Sequence, residues 1–222
     1  MSGCRTCVVL AIGVCAALAL PAAGRAAAEE RPFAALFNGK DLTGWETEGN
    51  WAVEPAGVLA LKPRPGERGW RRFACYLWAH QQYGDFVIDL EFKIPKGGNS
   101  GLFVRVRDKL DPVNTGIEVQ ISDCHHKKRV GAHDCAGVIG TAGPARNMAK
   151  PAGQWNRMAV ACQGRRLRVE LNGEQVVDVQ LDKTSRRDRP LVGYIGLQDH
   201  GSPLWFRNIR IKNLSPTTES ER

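Results

Sequence analysis

The stretch Asp85–Ile94, DFVIDLEFKI, alternates with a period of two. Phe86, Ile88, Leu90, Phe92 and Ile94 fall on one side of an extended chain, and Asp85, Asp89, Glu91 and Lys93 on the other. Successive side chains of a strand point to opposite faces, so this pattern predicts a strand with one side in a core. The same reading extends outward in both directions. Ser100–Arg107 (SGLFVRVR) sets Leu102, Val104 and Val106 against Phe103, Arg105 and Arg107. Gly116–Ser122 (GIEVQIS) sets Ile117, Val119 and Ile121 against Glu118, Gln120 and Ser122. Met158, Val160 and Cys162 continue the pattern, as do Leu204, Phe206, Ile209 and Ile211. Between Arg165 and Leu181 two alternating runs meet at Asn172-Gly173, which suits a type I′ hairpin turn because both central residues need positive φ. Turn signals such as Pro95–Asn99 (PKGGN) and Gln163-Gly164 separate the runs, and helical periodicity is almost absent. About ten short strands at this spacing predict an all-β fold, a β-sandwich or jelly roll in which two packed sheets bury one face of each strand.

Composition agrees with a globular chain. Of 222 residues, 43% are hydrophobic and 24% charged, and the 24 Gly and 12 Pro follow no period, which excludes collagen-like and low-complexity chains. The N-terminus reads differently from the rest. Arg5, the apolar run Val8–Leu20 and Ala26-Ala27-Ala28 have the order of a secretory signal peptide, with cleavage expected after Ala28. The expected organisation is a signal peptide at 1–28, one domain at 29–214 and a flexible polar tail at 215–222. No later segment is long and apolar enough to cross a bilayer, so the expectation is an exported protein, periplasmic or extracellular, without membrane insertion. Cleavage removes Arg5 and Arg25 from a formal charge of +8, and takes Cys4, Cys7 and Cys15 with it. Cys75, Cys124, Cys135 and Cys162 remain, enough for two disulfides in an oxidising compartment. Cys124 and Cys135 flank a polar loop and form the first pair to test, with closure contributing about 3 kcal/mol. Zinc is the rival reading there, with His125, His126 and His133 nearby, but no C-x-x-C pair supports it. The basic clusters Arg71-Arg72, Lys127–Arg129, Arg165-Arg166 and Arg186-Arg187 accompany no recognisable nucleic-acid module, so solvated surface charge is the expectation.

Three polar groups stand out. Glu118, Gln120 and Ser122 share one side of a strand, with Asp123 at its end, and such a set can grip vicinal sugar hydroxyls; the bland reading is a solvated sheet face. Gln198-Asp199-His200 ends a β-run at a Gly turn and brings a proton carrier suited to neutral pH; the bland reading is a capped turn. Gly97–Gly101 (GGNSG), with Asn99 and Ser100, lets a ligand approach the backbone, or is simply a hairpin loop. Most of Trp45, Trp51, Trp70, Trp78, Trp155 and Trp205 are expected in the core, though some can stack on sugars. Asp108, Asp111 and Asn114 offer oxygens for calcium without EF-hand spacing. A nucleophile elbow, a zinc helix motif, a phosphate loop and a dinucleotide fingerprint are all missing.

Taken in order, Leu36–Trp45 (LFNGKDLTGW), Gly84–Phe86 (GDF), Leu90–Phe92 (LEF), Gly97–Phe103 (GGNSGLF) and Glu118–Ile121 (EVQI) resemble the 3-keto-disaccharide hydrolase domain family. The resemblance continues through Lys150–Asn156 (KPAGQWN), Leu171–Gly173 (LNG), Gly196–Gly201 (GLQDHG) and Phe206–Ile211 (FRNIRI). It spans Phe33 to Leu214, and the His- and Lys-rich loop Asp123–Asp134 departs from it. It implies a concanavalin A-like jelly roll with a sugar site on its concave sheet, acting on glycosides oxidised at C3. A carbonyl at C3 acidifies the C2 proton, so a base, a stabiliser of the enolate and a proton donor to the leaving group are needed. On that reading Glu118 or His200 is the base or acid, with Asp199 beside it. Gln120, Asn99, Ser100, Asp123, Gln198 and Lys150 contact substrate, and Arg105 stabilises the enolate if it faces the groove. The partner is a carbohydrate, and a divalent metal such as calcium is one cofactor to consider. A non-catalytic carbohydrate-binding module of the same fold is the alternative, because the scaffold serves both.

Overall fold

A computed structural model describes residues 1, 3 and 32–214. Apart from residues 1 and 3, the expected signal peptide lies outside the described residues, as does the expected tail at 215–222. In chain order the strands are β1 (Ala34–Ala35), β2 (Trp45–Glu46), β3 (Trp51–Glu54), β4 (Val58–Leu61), β5 (Leu77–Tyr83), β6 (Phe86–Lys93) and β7 (Asn99–Val106). A single-turn helix, α1 (Pro112–Thr115), precedes β8 (Ile117–Ser122), β9 (Asn156–Gln163), β10 (Arg166–Leu171), β11 (Glu174–Gln180), β12 (Gly193–Leu197) and β13 (Leu204–Asn213).

These strands pair into two antiparallel sheets, the jelly-roll sandwich expected. The larger has eight strands, ordered β11-β10-β9-β6-β13-β4-β3 with β1 added on β13, and the smaller has five, ordered β2-β5-β12-β7-β8. The alternation that suggested strands also decides what lies between the sheets. Phe86, Ile88, Leu90 and Phe92 of β6 meet Leu102 and Val104 of β7 and Val119 and Ile121 of β8 in one core cluster, all fully buried. Burial of each such side chain stabilises the fold by about 2–3 kcal/mol before entropy is counted. Trp45 and Trp51 join this core. Between β10 and β11, Asn172 (φ 54°) and Gly173 (φ 88°) both adopt the left-handed conformation the hairpin requires.

Strict alternation fails in two places, both through bulges. In β13, Arg207 pairs with Glu91 and Arg210 with Asp89, so Asn208 (φ 54°) and Ile209 stand against one residue, which explains the three-residue step between Phe206 and Ile209. In β7, Phe103 pairs with Gly196 and Val106 with Tyr194, so Val104 and Arg105 oppose Ile195 alone, and Arg105 takes φ 53°. Phe103 and Arg105 therefore do not share a face, contrary to the alternation read from the sequence.

The irregular segment after β8 is tied to that strand's outer edge. Gln120 N–H donates to Gly137 O at 2.8 Å, Ala136 N–H to Gln120 O at 2.8 Å and Ile139 N–H to Glu118 O at 3.0 Å, which covers backbone that an edge strand would expose. Within this segment Cys124 and Cys135 are both buried and both free, so the disulfide considered between them is not formed. No helix among the described residues is long and apolar enough to cross a membrane.

Candidate functional site

Pairing registers build the site before any side chain is considered. One row crosses the whole five-stranded sheet: Glu118 opposite Phe103, Phe103 opposite Gly196, Gly196 opposite Trp78, and Trp78 opposite Glu46. Directly opposed residues of antiparallel strands turn their side chains to the same face, so this row looks away from the core. A second row joins Gln120 to Gly101, whose carbonyl accepts the Gln198 N–H at 2.9 Å. A third pairs Ser122 with Asn99.

Two glycines make room on this face. A Cβ at Gly196 would strike the Trp78 ring, and one at Gly101 would strike the Glu118 carboxyl. Trp78 can thus lie across β12, where it packs with Tyr76 and Phe103 at ring-centroid distances of 5.7 and 6.3 Å. Glu118 can lean across β7 toward Gln198, whose Nε2 donates to Glu118 Oε1 at 3.1 Å. Aromatic packing fills the middle of the row, and the Glu118 end stays open as a cleft of about 290 Å³. Asn99, Glu118, Gln120 and Gln198 line its floor, and Trp70, Val113, His133, Ile139 and His200 its walls.

The electrostatics of this cleft are those of polar groups short of partners. Burial pushes the Glu118 carboxyl up to about 7, against the opposing effects of the Gln198 amide and the Arg186 charge. Asn99 Oδ1, Gln120 Oε1 and Gln198 Oε1 are buried acceptors without a hydrogen-bond partner among the described residues. An unsatisfied buried acceptor costs roughly 1–3 kcal/mol, so a cluster of them marks a place where a ligand's donors would be stabilising.

The outer face of the larger sheet carries a bigger cleft, about 520 Å³, lined by Asp89, Glu91, Arg157 and Arg210 among others. Its charges are already paired. Asp89 accepts from Arg157 Nε and Nη2 at 2.8 and 2.7 Å and from Arg210 Nη2 at 2.6 Å, while Glu91 accepts from Arg207 Nε at 2.6 Å and Asn208 Nδ2 at 3.1 Å. Lys93 lies over the rings of Trp155 and Trp205 at 5.2 and 4.6 Å.

Of the residues named from the sequence, Glu118, Gln120, Asn99, Gln198 and His200 line one cleft. Ser100 and Asp199 stand behind it. Ser100 Oγ donates to Gln198 O at 2.8 Å, and Asp199 is fully buried, accepting the Gly201 N–H at 2.8 Å and pairing with Arg72 at 3.3 Å. Burial raises the Asp199 carboxyl, with the Gly201 hydrogen bond and the Arg72 charge opposing. Three residues are elsewhere. The β7 bulge turns Arg105 away from the groove, where its fully buried guanidinium donates to Gly84 O, to Gly164 O at 2.6 Å and to Asp85 Oδ1 at 2.9 Å. It holds loops and does not face the cleft. Asp123 accepts the Gly97 N–H at 2.9 Å and closes the turn before β7, and Lys150 Nζ donates to Trp155 O at 3.1 Å.

Among the described residues no group of three or more His, Cys, Asp or Glu is placed to hold a metal. Asp108 Oδ1 accepts from Leu110 N–H and Asp111 Oδ1 from Asn114 Nδ2, so these side chains stabilise their own loop. His125 contacts Ala149 O while His133 lines the cleft, which separates the histidines considered for zinc. Val113 of α1 and Ile139 carry no signal in the sequence, and Trp70 and His133, named there only as a possible stacking ring and a possible zinc ligand, reach the cleft through the docking of segments that no local pattern records.

Residues 32–212 match the family described as the 3-keto-alpha-glucoside-1,2-lyase-like domain. A protein of Bacteroides thetaiotaomicron named 3-keto-disaccharide hydrolase is 28% identical, over 81% of this chain and 77% of that protein. A crystal structure of a candidate glycosyl hydrolase from Parabacteroides distasonis superposes with a TM-score of 0.69 at 29% identity, covering 82% of this chain and all of that one. A carbohydrate-binding module from Bacillus subtilis, 17% identical with a TM-score of 0.55 over 77% of this chain and 96% of its own, shares the fold.

Proposed function

The chain belongs to the 3-keto-alpha-glucoside-1,2-lyase-like family, and from that membership we propose that it is an exported hydrolase of 3-keto glycosides working by elimination and hydration. The observation that carries this reading is the Glu118 carboxyl, held near neutrality beside partnerless buried acceptors in a cleft. A base is most effective when its pKa lies near the working pH. In the first step Glu118 takes the C2 proton, the electron pair forms the enolate of the C3 ketone, and the C1–O bond breaks as C1=C2 forms. His200 donates a proton to the departing oxygen. Water then adds to the enone, its hydroxyl to C1 and its proton to C2, so the net change is hydrolysis. Asn99, Gln120 and Gln198 accept hydrogen bonds from the ring hydroxyls and set C2 against Glu118. Export is supported by the order of Arg5, Val8–Leu20 and Ala26–Ala28, and a mature N-terminus at Glu29 by intact mass would match it.

The test is turnover of 3-keto-trehalose in D2O, with and without chelator. Released 3-keto-glucose with deuterium at C2 is expected. Hydrolysis without label at C2 would refute elimination. Binding of unoxidised glycan with no turnover of the keto sugar would replace the enzyme by a binding module.

A further inference from the structure

Trp70 is the wall residue of the cleft whose purpose the reaction above leaves open. It is 37% exposed although large and apolar, and it sits on the segment between β4 and β5. That segment is fastened firmly. Tyr76 Oη donates to the Trp70 carbonyl at 2.6 Å, and Gly69 N–H donates to His200 O at 3.2 Å. Arg72 bridges Glu67 at 2.7 Å and the fully buried Asp199 at 3.3 Å. Gly201 lies so close to Glu67 that a Cβ there would come within 2.5 Å of its carbonyl oxygen. Phe73 packs against the Trp70 ring at 5.9 Å. An exposed ring on a loop pinned at this many points is ordered before a ligand arrives, so binding it costs little conformational entropy.

We propose that Trp70 is the platform for the group leaving from C1, and that the Arg72–Asp199 ion pair is the positioning device that holds Trp70 beside His200. The inference rests on the reaction proposed above. With the keto ring on the amide floor, the group beyond C1 lies toward the proton donor His200. Asp199 and Gly69 link His200 to the Trp70 segment, so the ring stands on that side. The chemistry it fits is the C–H face of a second pyranose, or a planar aglycone, since both stack on an indole.

Two substrates with one donor sugar separate the possibilities: 3-keto-trehalose, which leaves a sugar, and 3-keto-α-glucosyl fluoride, which leaves an ion with no ring. Trp70→Ala is expected to raise KM for the disaccharide about tenfold and to change kcat/KM for the fluoride less than about twofold, while Trp70→Phe recovers most of the loss. Arg72→Gln, with Arg72→Lys as the milder variant, should give the same split with folding verified by circular dichroism. Equal loss on both substrates, or no loss on either, would overturn the platform while leaving the reaction standing. Failure of the native protein to turn over either substrate would overturn both.

Discussion

Two carboxylates occupy matching positions in the two sheets and have opposite chemistry. Asp89 in DFVIDLEFKI and Glu118 in GIEVQIS are both polar residues between apolar neighbours on a strand, and both end up on a face turned away from the core. On the outer face of the larger sheet, burial alone would raise Asp89, but the hydrogen bonds and charges of Arg157 and Arg210 outweigh it and hold the carboxyl below its ordinary value. On the face of the smaller sheet, burial dominates and Glu118 rises to about 7 with an amide as its hydrogen-bond partner. A saturated charge contributes to a fold; an under-satisfied one is available for chemistry. The same strand pattern serves both, and the difference lies in what other segments bring to it.

That contrast can be broken most sharply at Glu118. Glu118→Gln should lower kcat on a 3-keto disaccharide by roughly 10²–10⁴-fold, the range of a lost general base, with no loss of stability in urea unfolding. Asp89→Asn should do the converse, costing about 1–3 kcal/mol of stability and leaving kcat unchanged. Equal effects of the two substitutions on turnover would erase the distinction between the faces.

The two residues should also move stability with pH in opposite directions. Glu118 has its folded pKa raised from 4.5, so its favourable contribution is present below about 4.5 and lost as pH rises through about 7. Asp89 has its folded pKa lowered from 3.8, so its contribution is present above that value and lost as pH falls through the lower folded one. Unfolding curves of the native chain should therefore approach those of Glu118→Gln on acidification and those of Asp89→Asn only at strongly acid pH. If Glu118 is the base, kcat/KM rises with pH through about 7. The smallest effect expected is at the floor amides. Asn99→Ala removes one acceptor and should raise KM about fivefold, near 1 kcal/mol, with little change in the fold.

Much of the floor was legible in the sequence because a strand advertises its own periodicity. Glu118 and Gln120 are two residues apart on β8, and Gln198 and His200 follow β12 with the same spacing. Asn99 was marked by its glycines. Arg105 was misread for a local reason: one extra residue in β7 reverses the direction of everything after it, and nothing in SGLFVRVR announces a bulge there. Asp199 keeps its company with His200, but its carboxylate lies behind the cleft, held by the Gly201 N–H of its own turn and by Arg72, which the packing of a distant loop brings to it.

The sequence by itself determined the strands, the apolar side of each and the Asn172-Gly173 turn, since alternation and turn chemistry act over a few residues. Tertiary structure decided which polar side became a site. Glu118 is buried in a cleft that Val113, Ile139 and Trp70 also line, and these three arrive from separate segments of the chain. A carboxyl's environment is a sum over neighbours in space, and that sum is written in no single stretch of the chain.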